Sequence, residues 1–202
     1  MPIQDTASIT PKSDQRGHTI YVCAPPWFVN SEQLSVARPT AAAKDHKFSG
    51  ADLNFLARML YAEASGSAAC PDARERHREK TAILHVSYFR IGRAGYPSAA
   101  YIATTFTEVA KAPGQFESVF KTNTKLASSA PDKYEHLKAK ECADLTECLE
   151  AIRDFLQSGP DFKAYPFDKF LAATGRPGWT PIGKTEFSLF ASMRDAMKKA
   201  QS

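Results

Sequence analysis

The stretch SGADLNFLARMLYAEASG, residues 49–66, has the pattern of an amphipathic helix that ends near an acidic residue. Its leucines recur at the i, i+3 and i+7 spacing of one helix face turned toward a core: Leu53, Leu56 and Leu60. Ser49 followed three residues later by Asp52 is typical of a capping box, and Gly66 is a natural helix stop. The next position of the leucine stripe is Glu63. The stretch therefore predicts a helix with a carboxyl group on its buried side, at its C-terminal end.

A carboxyl group in that position suits proton donation. Burial disfavours the charged form of an acid, and the negative end of the helix dipole does so as well. A general acid must be protonated in order to give its proton to a leaving group. The pattern thus predicts Glu63 as a catalytic acid, whereas periodicity alone leaves open a partly exposed glutamate at a fraying helix end.

Short motifs along the chain carry a resemblance to a known family. YAEASG at residues 61–66 resembles the YAEARGE signature of the spore cortex-lytic cell-wall hydrolases. PGQF at residues 113–116 is similar to the PGQFS segment of that family, and RPGW at residues 176–179 is similar to one of its closing stretches. The resemblance covers roughly residues 51–190. The chain departs from the family at several positions, among them Ser65, Ser67, Phe89 and Glu117.

The resemblance implies a fold and an activity. The expected fold is mainly α (α+β), a lysozyme-like domain with a small β element beside the active-site cleft. The expected reaction is cleavage of the β-1,4 bond between N-acetylmuramic acid (MurNAc) and N-acetylglucosamine (GlcNAc) in peptidoglycan. Glu63 is then the general acid of a muramidase or of a lytic transglycosylase, and no cofactor is expected.

The same resemblance suggests substrate-binding residues. Tyr61 belongs to the first motif, and Gln115 can exchange hydrogen bonds with an N-acetyl or hydroxyl group. Phe116 is expected to pack as the floor of the site. Glu117 is either a second carboxylate facing the sugar or a solvated residue of the rim. Trp179 is either a platform for stacking a sugar ring or a core residue.

The remaining pattern predicts the rest of the domain. The charged start of a second helix over residues 72–92 is expected to be solvated, and His85 within it to be a packed or surface residue. Arg90 is expected to anchor the end of this helix through a carboxylate or backbone oxygens. Further predicted elements are a strand at 18–22, a third helix at 97–111 with Ile102 inward, a fourth at 143–157, a strand at 183–188 and a terminal helix at 190–200.

Residues 1–48 lie outside the resemblance. We predict them to form a partly ordered N-terminal extension, an export or docking segment, before a catalytic domain at residues 49–202. The first residues lack a basic start and an apolar run, so no signal peptide is expected. If peptidoglycan is the substrate, the protein made in the cytoplasm must reach the wall by a route other than the Sec pathway. This predicts an antibacterial secreted effector, with secretion machinery and a cognate immunity protein as partners, or a phage-type lysin.

Composition restricts the other classes. The net charge of +4 is not gathered into a basic stripe with aromatic residues, so we expect no nucleic-acid partner. No apolar run reaches the length of a membrane span, and no His or Cys grouping has the spacing of a metal site. The four cysteines permit disulfides outside the cytoplasm, for instance Cys23 with Cys70, or remain buried thiols.

Two other functions stay open at this point. A non-catalytic peptidoglycan-binding or adaptor module would explain the motif departures. An N-acetylmuramoyl-L-alanine amidase would act on the same polymer, but such enzymes usually need zinc, and the supply of grouped ligands is poor.

Overall fold

Helices and short strands are mixed along the chain in the computed structural model, which describes residues 10–13, 16–17, 19–22, 34–40, 46–94, 96–98, 100–113, 115–116 and 139–202. The helices are α1 (Gly50–Glu63), α2 (Ala73–Arg90), α3 (Phe106–Lys111), α4 (Ala139–Ser158) and α5 (Arg194–Gln201), the last preceded by a 3-10 turn at Ala191–Met193. The strands are β1 (Thr10–Ser13), β2 (Thr19–Val22), β3 (Leu34–Ser35), β4 (Lys47–Phe48), β5 (Pro97–Ser98), β6 (Tyr101–Ile102), β7 (Lys169–Ala172), β8 (Thr180–Ile182) and β9 (Thr185–Ser188). The predicted α+β class is confirmed.

Helix α1 begins as its sequence predicts. The Ser49 hydroxyl accepts from the Asp52 backbone N–H, and the Asp52 carboxylate accepts from the Ser49 backbone N–H, which completes the capping box. The helix ends at Glu63, as predicted, and Ala64 is its extended C-cap, so Gly66 lies beyond the helix end and does not cap it. A Cβ on Gly66 would lie 2.5 Å from Oδ2 of Asp144. The glycine is therefore needed for a close approach to α4.

Helices α1 and α2 both pack against α4 and α3. The predicted leucine stripe of α1 is buried, with Leu53 and Leu60 fully inaccessible to solvent. Helix α4 starts four residues before the predicted position of 143, and its apolar face enters the same core through Leu145, Cys148, Leu149, Ile152 and Leu156. The core thus lies between α4 on one side and α1, α2 and α3 on the others.

His85 is a packed residue of α2, as one of its two predicted roles required. Its Nδ1 lies 2.8 Å from the Thr81 carbonyl oxygen, and its Nε2 accepts the Asp161 backbone N–H at 2.8 Å. The ring also contacts Phe155 and Tyr165. Burial lowers the pKa of His85 to about 4, so the imidazole is neutral at pH 7.

A hairpin stands where a third helix was predicted from residue 97. Strands β5 and β6 pair antiparallel, and α3 begins only at Phe106. Thr105 and Glu108 form a capping box that fixes this later start. Ile102, predicted to face inward, is 45% exposed. The apolar spacing suggested a short helix over residues 97–111, but the capping box divides the segment and leaves only residues 106–111 helical.

The three-stranded antiparallel sheet, in the order β7–β9–β8, packs against α2. Strand β9 is the central strand, and it confirms the strand predicted at residues 183–188. Its register pairs Phe170 with Phe187, and Ala172 with Thr185. Both Thr185 and Phe187 are buried, so the face they share is turned to the core.

Two pieces of the N-terminal segment join the same core. Strands β3 and β4 pair antiparallel, and Val36 and Phe48 beside them are buried. The Ala37 backbone N–H donates to the Leu156 carbonyl oxygen at 2.8 Å. Strand β2 confirms the predicted strand before Cys23. The division of the chain at residue 49 stays a prediction, but residues 34–40 contribute packing to the helical core. Within the part of the chain that the structure describes, we find no helix with the length and apolarity of a membrane span.

Candidate active site

Glu63 is the last residue of α1 and is half-buried. Leu60, one turn before Glu63, and Ala64, directly after it, are both buried. The Ala64 backbone N–H still donates to the Leu60 carbonyl oxygen at 2.8 Å. The Glu63 side chain therefore lies where the core meets solvent. The leucine stripe predicted a carboxyl group on the buried side of α1, and the alternative was a partly exposed glutamate at the helix end; the half-buried position lies between the two.

The loop that follows Glu63 is held by a second glutamate. Glu79 of α2 is fully buried, and it accepts the Ser65 backbone N–H at 3.0 Å and the Ser65 hydroxyl at 3.1 Å. The Thr185 hydroxyl of β9 donates to the same carboxylate. A Cβ on Gly183 would lie 2.6 Å from Oε2 of Glu79, so the turn before β9 also closes on it. Glu79 thus joins the end of α1 to the sheet.

Four more charged residues extend this contact. We call Arg76, Glu79, Lys80, Asp144 and Glu147 together the ionic network. The Lys80 ammonium, 1% exposed, donates to the Ser65 carbonyl oxygen at 3.1 Å and lies 3.3 Å from Glu147. The Asp144 carboxylate accepts the Ser67 backbone N–H at 2.9 Å. Buried charged side chains therefore bind the backbone N–H and C=O of Ser65 and the backbone N–H of Ser67.

Arg76 links the far end of the loop to α4. Its guanidinium makes two bonds to the Glu147 carboxylate, at 2.8 and 2.5 Å, and donates to the Cys70 and Pro71 carbonyl oxygens. Burial works to raise the pKa of Glu147, but the bonds and charges of Arg76 and Lys80 outweigh it and lower that pKa. Glu147 is therefore a carboxylate at neutral pH.

The ionic network corrects the prediction that the start of α2 is solvated. Arg76, Glu79 and Lys80 are all buried. A signal existed in the sequence, because these positions continue the spacing of i, i+3, i+4 and i+7 toward Ile83 on the same helix face. Their partners, however, lie on α4 and β9, which no local pattern reveals.

Gln115 belongs to a second polar cluster at the other end of α2. Its Oε1 accepts the Tyr96 hydroxyl at 3.0 Å and lies 3.5 Å from Nη1 of Arg90. Arg90 also donates to the Asp168 carbonyl oxygen at 2.7 and 3.1 Å. The prediction that Arg90 anchors the helix end through backbone oxygens is confirmed. Gln115 itself is only half-buried, so it remains open to a ligand.

Beside this cluster lies a cavity of about 420 Å³. It is lined in part by Arg90, Arg93, Gln115, Lys169 and Phe190. Neither Glu63 nor Tyr61 is among the described residues that line it. The polar cluster and the helix end at Glu63 are therefore two separate features, and the sheet connects them.

The connection through the sheet can be followed residue by residue. Phe116 is fully buried and presents no surface to a substrate; its ring lies 5.6 Å from that of Phe170 on β7. Phe170 pairs with Phe187, while Glu79 is bound to Thr185, two residues earlier on β9. Residues two apart on a strand share a face and lie about 7 Å apart. The Gln-Phe segment and the loop after Glu63 therefore meet the same face of the sheet at neighbouring positions.

The other predicted substrate-binding residues lie elsewhere. Tyr61 is half-buried and faces α4, where burial, followed by the Glu141 and Asp144 charges, raises its pKa to about 12. Trp179 is half-buried between two cations, with Lys169 5.7 Å and Arg176 5.4 Å from its ring. Glu117 lies outside the described residues. Tyr61 is thus positioned as a packing residue, whereas Trp179 keeps part of its ring at the surface.

The described cysteines are of two kinds, one in a disulfide and two as thiols. Cys142 is disulfide-bonded, whereas Cys70 and Cys148 are buried thiols outside any disulfide. The suggested bridge of Cys23 with Cys70 is therefore wrong. Among the described residues, we find no group of three or more His, Cys, Asp or Glu side chains placed to hold a metal ion.

Comparison with protein-family models, with curated proteins and with solved structures found no match to this chain.

Proposed function

We propose that this protein cleaves the glycan strand of peptidoglycan at the MurNAc–GlcNAc β-1,4 bond, with Glu63 as the general acid. The observation that carries the proposal is the position of Glu63, half-buried at the end of α1 and followed by a loop that the buried Glu79 holds in place. We further propose that α1 to α4, with the three-stranded sheet beside them, form a lysozyme-like domain.

The local geometry suits proton transfer to a glycosidic oxygen. Bond cleavage in such enzymes passes through an oxocarbenium-like state, and the acid must be held close to its productive position. The ionic network provides that rigidity, since it fixes the backbone at Ser65 and Ser67, two and four residues after the acid. Glu79 itself is fully buried and accepts three hydrogen bonds, so its proposed part is to position the loop.

The surroundings offer contacts for a sugar chain. Gln115 has an amide that can donate to an N-acetyl carbonyl. Its neighbour Phe116 packs on the face of the sheet that the loop after Glu63 also meets through Glu79. The exposed part of Trp179 offers an apolar face for a pyranose ring. Both features support a groove that runs along the sheet, from the end of α1 toward the cavity near Arg90.

The reaction type depends on a second carboxylate. A hydrolase uses one to activate water or shield the cation, at about 5–9.5 Å from the acid. Glu79 and Asp144 already accept backbone N–H groups, and we propose Glu117, which follows the Gln-Phe segment in the sequence, as the partner. Without a partner, Glu63 acts alone as acid and then as base, and the product is a 1,6-anhydro sugar.

The direct test is turbidity loss of purified sacculi with wild type and Glu63→Gln. The amide keeps the size of the side chain but cannot donate the proton, so we expect cleavage to fall at least about 100-fold. Glu150→Gln on α4 is the matched control for the loss of a glutamate charge, and we expect it to cleave normally. Thermal melting checks that both variants are folded. Near-wild-type cleavage by folded Glu63→Gln would refute the assignment.

The same assay separates the neighbouring functions. A chelator should leave cleavage unchanged, whereas it would stop a zinc-dependent amidase. An adaptor module would bind sacculi without dissolving them. As a secreted effector, the protein should be toxic when directed to the periplasm, and a cognate immunity protein should suppress that toxicity. Absence of toxicity from an active protein would count against the effector role.

A further inference from the structure

The cavity of about 420 Å³ near Arg90 carries an excess of positive charge. The charged residues among its described lining are three cations, Arg90, Arg93 and Lys169, and one carboxylate, Asp168. The Asp168 side chain is already occupied, because its Oδ1 accepts the Phe190 backbone N–H at 2.9 Å. The cavity therefore holds more cations than its own carboxylate can neutralise.

The hydrogen bonds and ring contacts of these three cations are with neutral groups. Arg90 donates to the Asp168 carbonyl oxygen and contacts Tyr96 and Gln115. None of the three forms an ion pair with a carboxylate in the part of the chain that the structure describes. Arg93 and Lys169 are instead placed against aromatic rings, Arg93 at 3.7 Å from Phe89 and Lys169 at 4.8 Å from Phe190.

This arrangement is costly unless an anion enters. Burial lowers the pKa of the Arg93 guanidinium, and the Asp168 charge opposes that effect only in part. The Arg93 Nε–H donates to the Phe89 carbonyl oxygen at 3.1 Å, and the guanidinium stacks on the Phe89 ring. A guanidinium has five N–H donors, so the four on its two terminal nitrogens remain to bind a carboxylate. The cavity volume falls within the usual range for small-molecule sites. Leu171 and Phe190 add exposed apolar surface at its edge.

We propose that this cavity is a subsite for a carboxylate of the peptide stem that branches from the glycan strand of peptidoglycan. The identity of the ligand rests on the proposed function. The positive cavity accepts the carboxylate, the apolar edge accepts the aliphatic part of the peptide, and Gln115 lies between the cavity and the face of the sheet that leads toward Glu63. The subsite would let the protein distinguish strands with acidic stems from bare strands or strands with amidated stems.

The test measures binding of the free tetrapeptide L-Ala-γ-D-Glu-meso-diaminopimelate-D-Ala to the full chain, by calorimetry or by NMR. The comparison probe is the same peptide with its carboxylates amidated. We expect the acidic peptide to bind wild type, and the amidated one to bind roughly tenfold or more weakly. Lys169→Gln and Arg93→Gln should each weaken binding of the acidic peptide, whereas Arg93→Lys should restore part of it. Lys163→Gln, at an exposed lysine away from this cavity, should bind as wild type does.

The outcomes separate this inference from the proposed function. Equal binding of both peptides, or binding that neither charge substitution changes, would overturn the subsite. No tetrapeptide binding by a wild-type protein that cleaves sacculi would overturn it too, while the proposed function stands. Selective binding of the acidic peptide by a protein that does not cleave sacculi would support the subsite and count against Glu63 catalysis. If Arg93→Gln fails to fold, Lys169→Gln alone decides, because within the described part of the chain the Lys169 ammonium contacts the rings of Trp179 and Phe190 and forms no ion pair.

Discussion

Replacing Glu79 separates the role of the ionic network from that of the acid. In Glu79→Ala, the Ser65 backbone N–H, the Ser65 hydroxyl and the Thr185 hydroxyl lose their common acceptor. Glu79→Gln is the matched control, because its amide oxygen still accepts the Ser65 N–H. Its amide N–H₂ then faces two hydroxyl oxygens, which can rotate to accept.

The size of the effect follows from burial. Glu79 is fully inaccessible to solvent, so the donors it leaves behind have no water to bind. A buried donor without a partner costs about 1–3 kcal/mol, but hydroxyl groups can turn toward other acceptors, and removing a buried charge returns part of the loss. We therefore expect Glu79→Ala to lower the free energy of unfolding by about 3 kcal/mol and Glu79→Gln by about 1 kcal/mol.

Urea unfolding measures these changes in stability. Sacculus cleavage measures whether the loss of Glu79 also lowers kcat. If the network positions Glu63, kcat should fall roughly tenfold or more in Glu79→Ala while KM changes little, because a small displacement of a catalytic group is costly. Glu79→Gln should keep most of the wild-type kcat. An alanine variant that unfolds within about 0.5 kcal/mol of wild type, or that cleaves at the wild-type rate, would refute the reasoning.

Three further predictions follow from the packing. Gly183→Ala should be about 2 kcal/mol less stable than Gly175→Ala in urea unfolding. Both glycines have positive φ, but only a Cβ on Gly183 would meet Glu79. Equal losses of stability would contradict that contact. Because His85 has a folded pKa of about 4 and an unfolded pKa of 6.5, the unfolded chain binds its proton first as the pH falls. Stability due to His85 should therefore be complete above pH 6.5 and fall by about 3 kcal/mol toward pH 4, and a flat curve of unfolding free energy against pH would contradict this. Val36→Ala should cost about 2 kcal/mol, since Val36 is buried beside the paired strands before α1; an unchanged melting temperature would show that residues 34–40 are dispensable.

Features specified by local sequence were predictable. The capping box at Ser49 and the leucine spacing both act within α1, and the structure follows them to the final turn, where Glu63 lies. For His85 the sequence left two roles, a packed or a surface residue. The Thr81 carbonyl oxygen is local, but the Asp161 backbone N–H that binds Nε2 lies 76 residues later.

Features that depend on distant partners were not predictable. Lys80 reads as a solvated charge, and its burial becomes clear only once Glu147, 67 residues later, lies beside it. Ile102 was predicted to lie in the third helix, because its spacing from Phe106 is helical. The capping box at Thr105 instead starts the helix after Ile102. The charge excess of the cavity was hidden for the same reason, since Arg93 and Lys169 come together only through folding.

Mass spectrometry of sacculi digested by wild type and by Glu63→Gln tests the central proposal most directly. We predict that wild type releases disaccharide muropeptides cut between MurNAc and GlcNAc, and that folded Glu63→Gln releases almost none. Hydrated reducing ends that disappear in Glu117→Gln would assign a two-carboxylate hydrolase, and 1,6-anhydro ends unaffected by Glu117→Gln would assign a transglycosylase in which Glu63 acts alone. Intact glycan strands after digestion by wild type, or the same products from Glu63→Gln, would contradict the account.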